Sequence, residues 1–473
     1  MTLRSSDVST HPSADSAASS THHARSSYET VFNRLTEAVG DRLSPDHHFT
    51  LSIAGEDSQF TRFNQAKVRQ TGQVCDGQLR LTLMTATQTA AATVPFIGEF
   101  DTDWAIAQQA LTTLQAELPH LPVDPYIVLP SPADVPANGR SREVRGGDLL
   151  PAKAIAETLL SPVQMLDFSG LYAAGLSYRA YSDSAGKRHW FETSSFTLDY
   201  SLFGDRPHQA VKGTLAGRHW HRQTYQQNIA AAQQQLALSL RPIKAIPKGR
   251  YRTYLAPAAV ADLMETVIYG GLGEAALRQG NSAFSKLEQG EAILSEQFSL
   301  GEDFQRAGVP RFNTSGQVAP TQLPIIQAGR WNTSLVNARS AKEYGQPSNA
   351  ANARETLRAP ALAPGQLHTD QVLAELGTGL YLSNLHYLNW SDLTAGRITG
   401  MTRYACFWVE DGEIVAPIEN LRFDDEFYRF LGEGLIALSD RLTFLPAVGT
   451  YERRSLGGMW MPGMLIDQFR YTL

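Results

Sequence analysis

The segment Ala405-Cys-Phe-Trp-Val-Glu-Asp-Gly-Glu-Ile-Val-Ala-Pro417 carries the strongest local structural signal in this chain of 473 residues. Two runs rich in β-branched and aromatic residues flank Asp411-Gly412, and Asp-Gly between such runs is typical of a two-residue hairpin turn. Most of the sequence on either side of the segment also alternates like strands separated by loops. We therefore predict a mostly-β C-terminal domain over residues 242–473.

This domain has one prominent helix near its start, at Pro257. Proline is tolerated in the first turn of a helix, because its missing N–H would have no intrahelical partner there. The apolar residues that follow share one helical face and are Val260, Leu263, Met264, Val267 and Ile268. Residues 242–249, which are basic and contain two prolines, form the best domain boundary.

Upstream of this boundary, residues 28–241 indicate an N-terminal α+β domain with antiparallel sheets and flanking helices. Helical spacing predicts helices over 28–40, 103–118, 149–160 and 224–240. Alternating runs predict four short strands separated by Gly55, Asn64, Gly72 and Asp76-Gly77, and three more between residues 172 and 215. Residues 126–147 read as a connecting loop. The fold class predicted for the whole chain is α+β.

The first 27 residues differ from the rest because Ser, Thr, Ala and His dominate them. Such a segment cannot bury enough apolar surface to offset the entropy lost on ordering, so we predict a disordered tail over residues 1–27. It lacks the apolar region of a secretory signal.

Composition excludes several classes of protein. The chain has 41 Lys and Arg against 47 Asp and Glu, a formal net charge of −6, which gives no electrostatic footprint for nucleic acid. Two cysteines, Cys75 and Cys406, can neither build a disulfide scaffold nor complete a Cys-rich zinc site. No stretch approaches the ~20 apolar residues of a membrane helix. We expect a cytoplasmic protein.

Motif searches find no phosphate loop, no dinucleotide fingerprint, no Gly-x-Ser-x-Gly elbow and no His-Glu-x-x-His pattern. The nearest approach to a metal motif is His219-Trp220-His221, because residues two apart on a strand project to the same face. The alternative is an exposed polar pair beside Arg218 and Arg222, whose positive charge opposes cation binding. The residues alone indicate a fold class and no active site.

Several segments of the chain, through their order and spacing, resemble those of a known family. They lie at residues 60–72 and 79–83 in the first domain, and at 249–257, 312–316, 325–329, 379–382, 399–400 and 408–417 in the second. Together they resemble the TldD/PmbA family of peptidase-related proteins, also described as modulators of DNA gyrase. The resemblance spans nearly all of the chain beyond the tail.

The family has two kinds of member. TldD-like chains carry His-Glu-x-x-x-His on the helix that opens the second domain and a cysteine near the C-terminus. The imidazoles and the thiolate hold zinc with one position open, and the Glu acts as base on the bound water. TldE-like (PmbA) chains share the fold, lack the motif and pair with a TldD-like chain in a peptidase complex.

This chain lacks the zinc motif. Aligned by the glycines that follow the helix, Glu265 and Gly270 stand at the two histidine positions, Thr266 at the catalytic Glu, and Leu456 at the cysteine. No histidine lies between positions 221 and 368, so no shift of the alignment restores the motif. The resemblance therefore implies a TldE-like branch with no catalytic, cofactor-binding or metal-ligating residues in this chain, the zinc being held by a TldD-like partner.

The resulting hypothesis is a TldE/PmbA-like subunit of a metallopeptidase complex acting on unfolded or modified peptides, present as a homo- or heterodimer and in contact with neither membrane nor nucleic acid. Two alternatives stay open. One is a stand-alone peptidase using a different site, for instance a metal at His219 and His221. The other is a non-enzymatic peptide- or protein-binding regulator related to gyrase or a toxin.

Overall fold

A computed structural model describes residues 16–134, 139–206 and 209–472. Its α-helices are α1 (Ser16–Gly40), α2 (Phe100–Glu117), α3 (Ala152–Leu160), α4 (Arg222–Ser239), α5 (Pro257–Ile268), α6 (Glu274–Arg278), α7 (Ser285–Glu288), α8 (Ala338–Tyr344), α9 (Val372–Leu376) and α10 (Phe427–Phe430). Short 3-10 turns lie at Leu118–His120, Pro132–Asp134, Ser161–Val163 and Thr369–Gln371. None of the helices in these ranges is long and apolar enough to cross a membrane.

The strands are β1 (His48–Asn64), β2 (Lys67–Met84), β3 (Thr89–Pro95), β4 (Arg140–Arg145), β5 (Asp167–Asp183), β6 (Arg188–Phe203), β7 (Ala210–Gly217), β8 (Gly249–Leu255), β9 (Leu300–Asp303), β10 (Gln322–Gln327), β11 (Arg330–Trp331), β12 (Pro360–Leu362), β13 (Gly379–Leu382), β14 (Asn384–Asp392), β15 (Arg397–Arg403), β16 (Phe407–Glu410), β17 (Glu413–Pro417), β18 (Arg422–Glu426), β19 (Leu435–Leu438), β20 (Thr443–Pro446), β21 (Gly458–Met461) and β22 (Met464–Tyr471). The predicted α+β fold class is confirmed.

These strands form three sheets. The first has the order β3-β2-β1-β5-β6-β4, with β7 also beside β6, and only its β4–β6 pair is parallel. The second has the order β11-β10-β9-β12-β21-β20. The third has the order β14-β15-β18-β22-β8-β13-β16-β17, with β19 beside β22. Strand β7 of the first sheet and strand β20 of the second therefore each pair on one side only within the described residues.

The apolar faces of the main helices are buried against the sheets or in the core of the C-terminal half. Helices α1 and α2 bury Leu35 and Leu111 against Leu51 and Leu81 of the first sheet, and α3 and α4 pack with a second cluster that includes Phe168 and Leu198. In the C-terminal half, the five residues of the predicted apolar face of α5 are buried in one large core cluster, together with Ala259. Helix α5 is thus fixed by burial on one side and free to offer polar residues on the other.

The hairpin predicted at Asp411-Gly412 is confirmed, because β16 and β17 pair antiparallel across it. Asp411 has a φ of 49° and Gly412 a φ of 81°, as a turn of the I′ type requires. The predicted domain limits at 28, 242 and 473 stay a prediction. Helix α1 begins at Ser16, so residues 16–27 are helical backbone where we expected tail, and residues 1–15 lie outside the described ranges. Adding turns to an existing helix is easy because its costly nucleus is already formed.

The four short strands predicted between residues 49 and 83 are instead two long ones, β1 and β2, joined by a turn at Gln65-Ala66. Gly55 and Gly77 face each other across this pair and are not turn residues. A β-carbon at Gly55 would lie 2.3 Å from the hydroxyl of Tyr178, and one at Gly77 would lie 2.8 Å from it. The glycines therefore make room for the buried ring of Tyr178 on β5. In the sequence, a glycine with this role looks the same as a glycine that marks a turn.

The loop predicted over residues 126–147 contains strand β4. Its sequence, Arg-Ser-Arg-Glu-Val-Arg, has no apolar alternation because the strand lies at a sheet edge with most of its side chains in solvent. Edge strands often carry charge, which discourages pairing with other chains. Periodicity cannot identify a strand of this kind.

Candidate functional site

Helix α5 presents two carboxylates to a cleft between the first sheet and the C-terminal half. Pro257 occupies its first turn after Ala256 in extended conformation, and Gly271 beyond its end has a φ of 95°, which suits glycine. Asp262 and Glu265 are three residues apart and lie on the side of the helix away from the core. They line the cleft together.

The cleft encloses about 500 Å³. One wall is β7, a second is α5, and a third is β20 with the loop after it. Its lining consists of Lys212, Gly213, Thr214, Ala258, Ala261, Asp262, Glu265, Asn384, Leu445, Pro446, Ala447, Val448, Gly449, Ser455, Gly458 and Met459. Because the walls belong to both halves of the chain, the shape of the cleft depends on how the halves pack.

Asp262 is the most perturbed acidic group of the cleft. Its Oδ2 accepts a hydrogen bond from the backbone N–H of Leu385 at 2.9 Å and a longer one from Asn384 Nδ2 at 3.4 Å. Burial raises the pKa of Asp262 to about 6, although these hydrogen bonds and the charge of Lys212 oppose the shift. Lys212 itself pairs with Asp199 at 3.1 Å. Asp262 can thus bind or release a proton near neutral pH.

The positions that align with the family's zinc ligands are filled in ways that do not suit a metal. Glu265 is exposed, and Thr266 lies beside it on the helix. A β-carbon on Gly270 would lie 2.5 Å from Cζ2 of Trp390, so the indole occupies the space that a histidine would need. Leu456 packs against apolar clusters of the C-terminal half.

The donor set therefore does not fit zinc. A catalytic zinc site needs three protein ligands of the His, Cys, Asp or Glu type around one point. Among the side chains described by the structure, those of residues 28–133, 139–206 and 209–472, no group of three is placed to hold a metal ion. Glu265 alone cannot supply a site.

One wall of the cleft is anchored by Arg454, which reaches from the C-terminal half into the first sheet. Its side chain is 3% exposed, and the Glu56 side chain beside it is 2% exposed. The backbone N–H of Arg454 donates to Glu56 Oε1 at 3.1 Å, and its Nε donates to Ser58 Oγ at 2.9 Å. The terminal nitrogens donate to the carbonyls of Gly175 and Ser195, each at 3.0 Å.

This arginine fixes the loop that closes the cleft. Burial lowers the pKa of the Arg454 guanidinium from its usual value, and the charge of Glu56 opposes that shift. The neighbouring Ser455 lines the cleft directly. The ion pair and the hydrogen bonds therefore hold the loop in place over β5 and β6.

The histidines of the alternative metal site do not share a strand face. Strand β7 ends at Gly217 and helix α4 begins at Arg222, so His219 and His221 lie in the connection, where both are exposed. His221 is the residue before the first turn of the helix. The premise of that hypothesis, two imidazoles on one face of a strand, is not met.

Sequence reasoning missed Asp262 and Arg454. Asp262 could have been noticed as an acidic residue three positions before Glu265 on the polar side of a predicted helix. Arg454 has no comparable local signal, because the groups that surround it come from β1, β5 and β6.

Comparison with known proteins finds a matching family model and solved structures with a similar fold. Residues 248–472 match the family model described as the PmbA/TldA metallopeptidase C-terminal domain. No curated protein matches the chain.

Similar solved structures include TldE from Thermococcus kodakarensis, at 13% identity and a TM-score of 0.74, covering 94% of this chain and 100% of that one. A proposed modulator of a DNA gyrase from Thermotoga maritima matches at 14% identity and a TM-score of 0.73, with the same coverage. A proposed modulator of DNA gyrase from Bacteroides thetaiotaomicron matches at 15% identity and a TM-score of 0.73, covering 94% of this chain and 98% of that one. At these identities the likeness shows a shared fold.

Proposed function

Through residues 248–472 this chain belongs to the TldD/PmbA family, and on that premise we propose that it is a TldE-like subunit without catalytic zinc. In this proposal it pairs with a zinc-bearing TldD-like chain and helps to bind unfolded or modified peptides, which the partner hydrolyses. The complex is a heterodimer or a larger assembly containing it.

The single observation that carries the proposal is the filled space at Gly270. Loss of a histidine by substitution alone would leave a vacant position that a neighbouring ligand or water could reach. Here the ring of Trp390 lies against the glycine, and Leu456 contributes to an apolar cluster at the cysteine position. The position that aligns with the second histidine is therefore filled by packing, which favours a role in assembly and substrate binding.

The cleft supports the substrate part of the proposal. It combines apolar walls, such as Leu445 and Met459, with the polar groups of Asp262, Asn384 and Lys212. Small-molecule and peptide sites are typically concave and apolar with a few placed polar groups. Both walls that run along it, β7 and β20, are strands paired on one side only in the described part of the chain.

We also propose a cytoplasmic location. Cys75 is exposed and Cys406 is buried, and both are free thiols. An unpaired exposed thiol is typical of a reducing compartment.

The test is reconstitution with a TldD-like protein from the same source. The two chains are co-expressed with a tag on one of them, the complex is isolated by size exclusion, and its zinc content and hydrolysis of an unfolded peptide are measured. We expect co-elution, zinc in proportion to the TldD-like chain, and hydrolysis that is lost with a chelator. The chain purified alone should hold no stoichiometric zinc and should not cleave the peptide.

A control uses the TldD-like chain with the Glu of its zinc motif replaced by Gln. This complex should assemble and bind zinc but not cleave. Failure of the two wild-type chains to associate would contradict the subunit proposal. Cleavage by this chain alone would instead support a stand-alone peptidase, and binding of gyrase or a toxin without a TldD-like chain would support the regulator.

A further inference from the structure

A second cavity of about 370 Å³ lies beside the cleft. The two cavities share Pro446 and Ser455 in their walls, so they adjoin, and we refer to the pair as the groove. Strand β7 and Arg218, the residue after it, run along both, with residues 212–214 at the cleft and residues 216–218 at the second cavity. At about 3.3 Å per strand residue, the centres of these two segments are roughly 13 Å apart.

The second cavity is basic. Its lining includes Arg145, Arg218 and Arg306 and contains no Asp or Glu. Glu143 pairs with Arg145 from outside the lining, and Asp303 lies 3.5 Å from Arg306. Arg218 donates to the carbonyl of Gly146 and has no carboxylate partner in the described ranges.

Hydroxyl donors and aromatic rings complete this cavity. Thr193, Ser195 and Thr197 alternate along β6 and line it from one side, as residues two apart on a strand do. Phe444 and Trp460 pack against each other at the other side, with ring centroids 5.1 Å apart and ring planes tilted by 38°. The combination of guanidinium groups, hydroxyls and an apolar wall suits a carboxylate attached to an apolar group.

The cleft at the other end of the groove has the opposite charge. Asp262 and Glu265 line it, and Lys212, the basic group there, is paired with Asp199. An extended peptide has a positive amino end and a negative carboxylate end. A groove that is acidic at one end and basic at the other therefore distinguishes the two directions in which such a peptide can lie.

We propose that the second cavity is a subsite for the C-terminal carboxylate of a peptide, whose N-terminal part lies in the cleft near Asp262 and Glu265. This inference rests on the proposed function, because it assigns a direction to the peptide that the subunit binds. Arg218 supplies the principal charge, since Glu143 and Asp303 partly neutralise the other two arginines. The hydroxyls of β6 donate to the same carboxylate.

The test compares two forms of one short unfolded peptide that has uncharged side chains and a C-terminal phenylalanine. One form ends in a free carboxylate and the other in an amide. Binding to the full chain, and to its complex with the TldD-like chain where that forms, is measured by titration calorimetry. We expect the free acid to bind about tenfold or more tightly than the amide, because a charge-assisted hydrogen bond to the arginine is lost in the amide.

Variants identify the residue responsible. Arg218→Gln should weaken binding of the free acid by about tenfold and leave binding of the amide unchanged. Arg62→Gln, which removes an exposed charge on β1 outside the groove, is the matched control and should change neither. Glu265→Gln should weaken binding of a peptide with a free amino terminus more than that of its N-acetylated form.

Each outcome bears on a different statement. Equal affinity for acid and amide, or a loss in Arg218→Gln that is equal for both, overturns the carboxylate subsite while peptide binding stands. Absence of binding by either form, with assembly of the two chains intact, overturns the subsite and leaves the pairing. In a third outcome, the chain binds the free acid more tightly than the amide and yet fails to associate with a TldD-like protein. That result supports the subsite and contradicts the proposed function.

Discussion

Replacement of Arg454 by methionine should destabilise the protein by about 3–5 kcal/mol, which is the usual effect of removing one partner from a buried ion pair. Methionine retains much of the apolar volume of the arginine stem, so the substitution mainly removes the charge and its hydrogen bonds. Glu56, 2% exposed, would keep a buried carboxylate without its cation. The carbonyls of Gly175 and Ser195 would each lose a donor.

The magnitude follows from these contacts. A hydrogen bond to a charged group contributes roughly 1.5–3 kcal/mol, and Arg454 makes several, but such contributions are not additive. Removing the ion-pair partner of Glu56 is the largest single effect, and the charge of Arg179, which also interacts with Glu56, offsets part of it. The double variant Glu56→Gln/Arg454→Met removes both charges and should therefore be more stable than the sum of the two single substitutions predicts.

The assay is urea unfolding followed by tryptophan fluorescence and by circular dichroism, because two probes are needed to establish whether a chain of this size unfolds in one step. The matched control is Arg142→Met. Arg142 Nη2 lies 2.9 Å from Glu29 Oε2 and the arginine side chain is 63% exposed, so this pair should contribute less than about 1 kcal/mol. Peptide binding should fall in Arg454→Met as well, since the loop that lines the cleft loses its anchor.

Two results would refute this reasoning. If Arg454→Met is no less stable than Arg142→Met, burial of the ion pair does not hold the two halves together. If the double variant is as unstable as the sum of the single ones, the two residues are not coupled, and the loss would come from the other hydrogen bonds of Arg454 and from packing.

Three further expectations concern single residues. Because the folded-state pKa of Asp262, about 6, is above its usual value near 4, the folded chain holds this proton more tightly. The contribution of Asp262 to stability should therefore be complete below pH 4 and decline by at most about 3 kcal/mol as the pH rises through 6. Denaturant titrations across this range should show that Asp262→Asn removes the decline, and an unchanged profile would contradict the assignment. Gly270→Ala should lower the free energy of unfolding, measured in urea, by about 1–3 kcal/mol, because the new β-carbon meets the indole of Trp390. The control Gly146→Ala, with nothing within 4 Å of its β-carbon, should lower it much less. Equal losses would mean that the indole moves aside freely. Burial raises the pKa of the Cys406 thiol to about 11, so a thiol reagent at pH 8 should label Cys75 alone in the native protein and both cysteines after denaturation; rapid native labelling of both would argue against this burial.

Much of the fold could be predicted from the sequence, because its signals are local. The turn at Asp411-Gly412 depends on the conformations of two adjacent residues, and helix α5 depends on apolar spacing over three turns. Predictions from local sequence were wrong where a residue is required by a contact with a distant part of the chain. Gly55 and Gly77 read as turns, yet their role is to admit the ring of Tyr178.

The candidate site was predictable only in part. The absence of histidines at positions 265 and 270 is a property of the sequence, and it indicates a chain without the family's zinc ligands. The contact between Trp390 and Gly270 cannot be read from the sequence, because the tryptophan lies 120 residues further along the chain. The raised pKa of Asp262 likewise depends on burial that no local pattern reveals.

The sequence by itself determined the α+β class, the hairpin, the helix that carries Asp262 and the resemblance to the TldD/PmbA family. The tertiary structure alone decided that β7 and β20 bound one groove, that its two ends carry opposite charge, and that Arg454 pairs with Glu56, 398 residues away. The physical reason is that conformation is set by neighbours within a few residues, whereas a binding site is set by burial and charge among residues that only folding brings together.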